Sequence, residues 1–244
     1  MVSLGRRARA GLLVALAAVA VAVTMWLPPI PQDQAYHVFA DRRTMFGVPN
    51  FLNVASNLAF LVVGTVGLGL AARAQRAGDR WRFGLLASGV ALTGLGSAYY
   101  HLRPSDATLV WDRLPLAVVF GAFFALVVED RLTGRRAGLF LLLAALGPAS
   151  VLYWRLTDDL RVYGLVQFFP LVAIPLILAL FPGGTLRGGD LGLVILWYGA
   201  AKMAEVADAD VLAAGDVVSG HTLKHLLAAA AAARGLVVLA RRRA

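Results

Sequence analysis

The chain has no cysteine, so disulfides and thiolate ligands are excluded, and any transition-metal site must be built from histidine, carboxylate or water. Charge is scarce as well: 15% of the 244 residues are charged, where soluble domains carry about 25%. Acidic residues are the rarer sign, 14 against 23 Lys and Arg, for a formal net charge of +9. No segment alternates apolar and polar residues with a period of two, so a β-barrel is not supported. No basic helix or aromatic-interleaved basic patch occurs either, which excludes nucleic acid as the partner that the net charge would otherwise suggest. What fills the chain is apolar. With 59% hydrophobic residues and a mean hydropathy of +0.73, it reads as a membrane protein.

Apolar runs lie at roughly 11–27, 51–72, 83–101, 112–128, 137–154, 162–181, 191–207 and 217–240, each near the ~20 residues that span a bilayer core. The expected fold class is therefore all-α, a polytopic helical bundle of eight spans. Residues 1–30 form an N-terminal span, which could also serve as a signal anchor, although its apolar stretch exceeds the usual ~7–15 residues of a cleaved signal. Residues 31–50 form a proline-bearing outer loop that reads as partly ordered over the mouth of the bundle. Residues 51–244 form the main domain, without internal repeats or the paired broken helices of transporters.

Arginines set an expected orientation. One set of connections collects Arg6, Arg7, Arg9, Arg73, Arg76, Arg80, Arg82, Arg131, Arg135, Arg136, Arg187, Arg234, Arg241, Arg242 and Arg243. The opposite set holds Arg42, Arg43, Arg103, Arg113, Arg155 and Arg161, together with the acidic turn ADADVLAAGD. Both termini are thus expected on the cytoplasmic side, and the arginine-rich, alanine-rich composition suggests a bacterial plasma membrane. Trp26, Trp81, Trp111, Trp154 and Trp197 fall near span ends and read as interfacial anchors.

Two of the four histidines, His221 and His225, stand one helical turn apart in SGHTLKH, so both project from one face and can converge on one ion. The spacing permits a metal, and it also permits two polar side chains packing between helices. A second run, GLGSAYYHLRPSDATLVWDRLP, places Ser97 and His101 at the end of the third span and Asp112 at the start of the fourth. His221 begins the eighth span at the same end. Polar groups far apart in the chain thereby fall at one depth, as a shared site requires. Three neutral imidazoles plus a water make the open tetrahedral set of catalytic zinc.

The stretches GSAYYH, DRLP and HTLKH, with NFLNVASN upstream, resemble the alkaline ceramidases and the wider membrane hydrolase superfamily that includes adiponectin-receptor and haemolysin-III-like proteins. These motifs run from about Asn50 to His225. The resemblance implies a seven-helix ceramidase-like core, preceded here by one extra N-terminal helix. It implies zinc on His101, His221 and His225, with Ser97 and Asp112 attending the metal-activated water, and a lipid amide such as ceramide as substrate among bilayer lipids. The chain departs from the family at Asn50, which replaces a glutamate, and at Arg113, which replaces an acid. The family's D-W-x-E-x-N calcium pattern is absent.

Amide hydrolysis needs an acidified water and a polarised carbonyl, both of which one zinc ion supplies. Asp112 suits the proton transfers and Ser97 the oxyanion. Lys202 and Glu205, at i and i+3 on the seventh span, and Asn53 with Asn57, on one turn of the second, are candidates for a supporting shell. Asn53, Ser56 and Asn57 equally suit the bonding of helix to helix. Lys224 is expected to point away from the histidine face, and His37 to be a solvated loop residue. A through-channel is not expected, because the polar groups cluster at the outer end. A serine hydrolase lacks its G-x-S-x-G. The alternative to a zinc amidase is a receptor-type or non-catalytic member of the same superfamily with a structural zinc.

Overall fold

The computed structural model describes residues 5–241; Arg242 and Arg243, counted above with the basic connections, lie outside them. The fold is all-α. Among the described residues no strand forms, and the one β-bridge joins Met45 to Val48. The long helices are α1 (Arg6–Trp26), α3 (Leu58–Ala72), α4 (Ala77–Leu102), α5 (Asp106–Val128), α6 (Ala137–Thr157), α7 (Arg161–Leu180), α8 (Gly188–Val206) and α10 (Gly220–Ala240). Two short ones, α2 (Phe51–Ala55) and α9 (Asp208–Gly215), complete the set. Among the described residues six helices are long and apolar enough to cross a membrane, counting Phe51–Ala72 as one. The chain is an integral membrane protein. Of the eight expected spans, α4 and α8 fall short of that measure, since α4 is diluted by glycine, serine and tyrosine and α8 carries Asp190, Lys202 and Glu205.

The elements differ from the sequence expectation where side chains compete with the backbone. The expected single helix over 51–72 breaks at Ser56 and Asn57. The Ser56 hydroxyl and the Asn57 amide both donate to the Asn53 carbonyl, at 3.1 and 2.7 Å, giving the backbone an alternative to the helical ladder. Helix α5 starts before its apolar run because Ser105 caps it, accepting from the Thr108 amide at 3.3 Å. Asp112 therefore sits inside the helix. The acidic turn folds into α9, with Asp208 and Asp210 in the first turn where the helix dipole favours them.

Packing between spans relies on close approach rather than on hydrophobic exclusion of water. Gly96 of α4 lies against the Trp111 carbonyl of α5, and Gly220 of α10 against the Ala204 carbonyl of α8; a Cβ at either place would overlap that oxygen. Each glycine precedes a candidate site residue, Ser97 or His221, so two of the closest helix contacts also position the site. Helix α1 buries no residue and lies along α7, joined by Arg9 donating to the Leu180 carbonyl at 2.6 Å. Trp26, Trp81, Trp111 and Trp197 are exposed as anchors would be, whereas Trp154 is buried at 2% exposure and is no anchor. Two arginines assigned to connections are also internal: Arg82 lies buried in α4 and Arg113 in α5.

The 31–50 segment is ordered across the histidine end. Ile30 and Gln32 donate backbone amides to Asp159 and Asp158 at 3.3 and 3.1 Å, and a 3-10 turn spans Gln34–His37. The Ala40 amide donates to Asp208 at 2.9 Å.

A candidate metal centre

Helix α4 ends with His101 and α10 begins with His221 and His225, and the three side chains are buried. One ligand nitrogen from each lies within 4.8 Å of the others, and His101 Nε2 stands 3.2 Å from His225 Nε2. Two nitrogens bound at about 2.0–2.1 Å to a tetrahedral zinc lie about 3.3 Å apart, so this pair has a metal's spacing. Ser219 starts α10 by accepting from the Thr222 amide at 3.2 Å, and the His221 amide donates to Asp208 at 2.7 Å.

The surrounding bonds select a tautomer for His225. Ser56 Oγ is 2.8 Å from His225 Nδ1 and 3.1 Å from the Asn53 carbonyl. The hydroxyl has one proton, which the carbonyl must receive, so Nδ1 of His225 carries the hydrogen and donates to Ser56. Its Nε2 is left with a lone pair aimed at His101, the second-shell arrangement typical of a metal-binding imidazole. His101 Nδ1 is buried with no partner. A cluster of neutral nitrogen donors with no thiolate fits a borderline-soft divalent cation such as zinc.

Ser97 and Asp112 line one chamber of about 230 Å³ with His225, and the Ser97 hydroxyl faces the Asp112 carboxylate. Asn53 is wholly buried: its Oδ1 accepts from Thr222 Oγ1 at 2.8 Å and its Nδ2 donates to the Asp41 carbonyl at 3.3 Å. It ties α2 to α10 and to the covering loop. Asn57 donates only to the Asn53 carbonyl and stabilises the helix break, one step removed from the histidines.

Glu205 is a hub. It receives the Lys202 ammonium, the Lys224 ammonium at 3.1 Å and the Tyr36 hydroxyl at 3.2 Å. Burial, with Glu205 alongside, pushes the Tyr36 hydroxyl well above its usual range, so it acts here as a neutral donor. Lys224 does not turn away from the histidines as expected. Its ammonium donates to His221 Nε2 at 2.8 Å, because i and i+3 share a helix face and Glu205 holds it there. The Nε2 lone pair of His221 is thus held by a cation of the protein itself.

His37 likewise is not solvated: its ring contacts the Tyr100 hydroxyl at 2.9 Å and Asp106 at 3.0 Å, with the side chain 11% exposed. The loop drapes inward because Phe39, buried, stacks on His101 and His221 at ring-centre distances of 4.6 and 4.7 Å. Phe39 and Tyr36 carry no mark in the sequence that separates them from other loop aromatics; Lys224 did, in its spacing from His221.

No family model matches the chain, and no curated protein matches it.

Proposed function

We propose that the protein is a zinc-dependent intramembrane hydrolase that cleaves the amide bond of a lipid such as ceramide. The observation that carries this reading is the convergence of three buried histidines, one of which, His225, lines a chamber together with Asp112 and Ser97. The ceramidase-like stretches around these five residues support the same reading. His101, His221 and His225 would hold the ion, which when bound supplies Lewis acidity for a carbonyl and acidifies a water to near pH 7. Asp112 accepts the attacking water's proton and delivers it to the nitrogen as the carbon–nitrogen bond breaks, releasing a fatty acid and an amine. The Ser97 hydroxyl, now facing Asp112, is within the chamber to donate toward the developing oxyanion.

The chamber shares Phe60, Leu116 and Ala228 with an apolar slot of about 90 Å³ that runs on among Val90, Val119 and Ile174. That slot suits an acyl chain. Phe39 blocks the mouth above the histidines, whereas α8 packs along α10 and barely touches α7, leaving Phe168 and Lys202 at a lateral seam. A lipid would reach the chamber sideways from the bilayer. The arginine bias supports a reading in which the histidine end faces outward from a bacterial plasma membrane and both termini are cytoplasmic.

The test is zinc content by elemental analysis, alongside hydrolysis of a fluorescent short-chain ceramide, in wild type and His221→Ala. One zinc per chain and turnover that disappears with the histidine would support the amidase. Zinc without turnover on acyl amides would turn the reading to a receptor or structural zinc protein.

A further inference from the structure

Arg113 is the one buried arginine at the histidine end whose charge meets no carboxylate at ion-pair distance among the described residues. Its residue exposure is 6%, and its guanidinium lies 4.3 Å from the Trp154 ring centre, 4.9 Å from Tyr163 and 5.6 Å from Tyr36. One nitrogen, Nη2, donates to Gln32 Oε1 at 2.8 Å; the other, Nη1, is buried without a partner. Buried Arg82, by contrast, is answered by Glu129 at 3.0 Å. Removing a guanidinium from water is costly, and the Asp112 carboxylate, in the same chamber but beyond ion-pair distance, and a cage of rings offset only part of that.

Arg113 also lines the chamber that holds Ser97, Asp112 and His225. The same walls carry Lys202 and Lys224, so three cations face two carboxylates, Asp112 and Glu205, before any metal charge is added. The apolar slot does not include Arg113. With the acyl chain in that slot, the amine side of the amide faces the arginine.

We propose that Arg113 binds an anionic group, carboxylate or phosphate, on the amine side of the substrate. This rests on the lipid-amide reading and narrows its substrate class from neutral amides to acidic ones. A charge-assisted hydrogen bond in a desolvated site is worth on the order of a tenfold preference or more.

Binding decides it, followed by the change in tryptophan fluorescence in zwitterionic-lipid nanodiscs. The probes are N-lauroylglycine, N-lauroyl-phosphoethanolamine and the neutral N-lauroylethanolamine. Wild type should prefer at least one acidic probe about tenfold over the neutral one, the better of the two identifying carboxylate or phosphate. The preference should collapse toward unity in Arg113→Gln and persist in part in Arg113→Lys. Equal affinity of wild type for acidic and neutral probes would overturn the proposal, whatever the variants do. Arginine-dependent preference with no hydrolysis of any probe would leave the anion site standing and remove the amidase; hydrolysis without preference would do the reverse.

Discussion

The two ends of the bundle handle buried charge differently. At the end away from the histidines, Arg82 meets Glu129 at 3.0 Å, Glu129 also accepts the Arg136 amide at 2.7 Å, and Arg131 meets Asp130 at 3.1 Å. These two buried arginines each have a protein counter-charge, even though Arg82 Nε and Glu129 Oε2 make no hydrogen bond, and the contacts fasten α4, α5 and the following turn together. At the histidine end, His101 Nδ1 and Arg113 Nη1 are left unmatched, and His221 is engaged by an ammonium. A buried charge answered by an opposite charge closes a structure, and one that is not answered is available to something else.

That contrast is open to direct attack. Glu129→Ala should leave Arg82 buried without its partner and destabilise the protein by about 3–5 kcal/mol, read from denaturant unfolding in detergent. A near-neutral result would mean the far end is no better satisfied than the near one. At the histidine end two substitutions should move zinc affinity in opposite directions without unfolding the protein, measured by competition with a chelator. Ser56→Ala frees the His225 tautomer and should weaken binding by about 10–100-fold. Lys224→Met removes the cation that occupies the His221 lone pair and should tighten it by about tenfold. Changes of the same sign in both variants would break the assignment of these contacts.

A smaller effect concerns the covering loop. Arg43 holds the Asp41 carboxyl, and Arg161 the Asp159 carboxyl, below the usual carboxylate range. Because both folded values are depressed, their contribution is present above about pH 4 and is lost as pH falls through the folded values. Asp41→Asn with Asp159→Asn should therefore lower the melting temperature at neutral pH, by a gap that has begun to narrow near pH 3. An equal gap at both pH values would mean that the carboxylates' charge is not what fastens the loop.

The bundle and its histidines were legible from sequence because they rest on local signals: apolar runs of span length, and the i, i+4 pair His221 and His225. His101 is reached by reasoning about depth, and the structure brings its Nε2 to 3.2 Å from that of His225. The rest depended on contacts between distant segments. Trp154 reads as an anchor by position, yet α5 brings Arg113 beneath it. His37 reads as solvated in a loop, yet Tyr100 and Asp106 receive it. The helix break at Ser56 and Asn57 depends on which acceptor two side chains choose, a competition that composition does not decide. Lys224 was misread because a charged residue between two histidines on an apolar helix suggests solvent, while its partner Glu205 lies on another helix.

Phe39 sets a clock. With its ring against His101 and His221 and its loop fastened at both ends, Phe39 closes the approach to the histidines from the loop side. An ion exchanging by that approach would do so only as often as the loop lifts. The rate at which a chelator strips the protein would then level off with chelator concentration, at a plateau equal to the loop's own opening frequency. Loading during synthesis, before the loop has closed, would become the fast route to the filled protein.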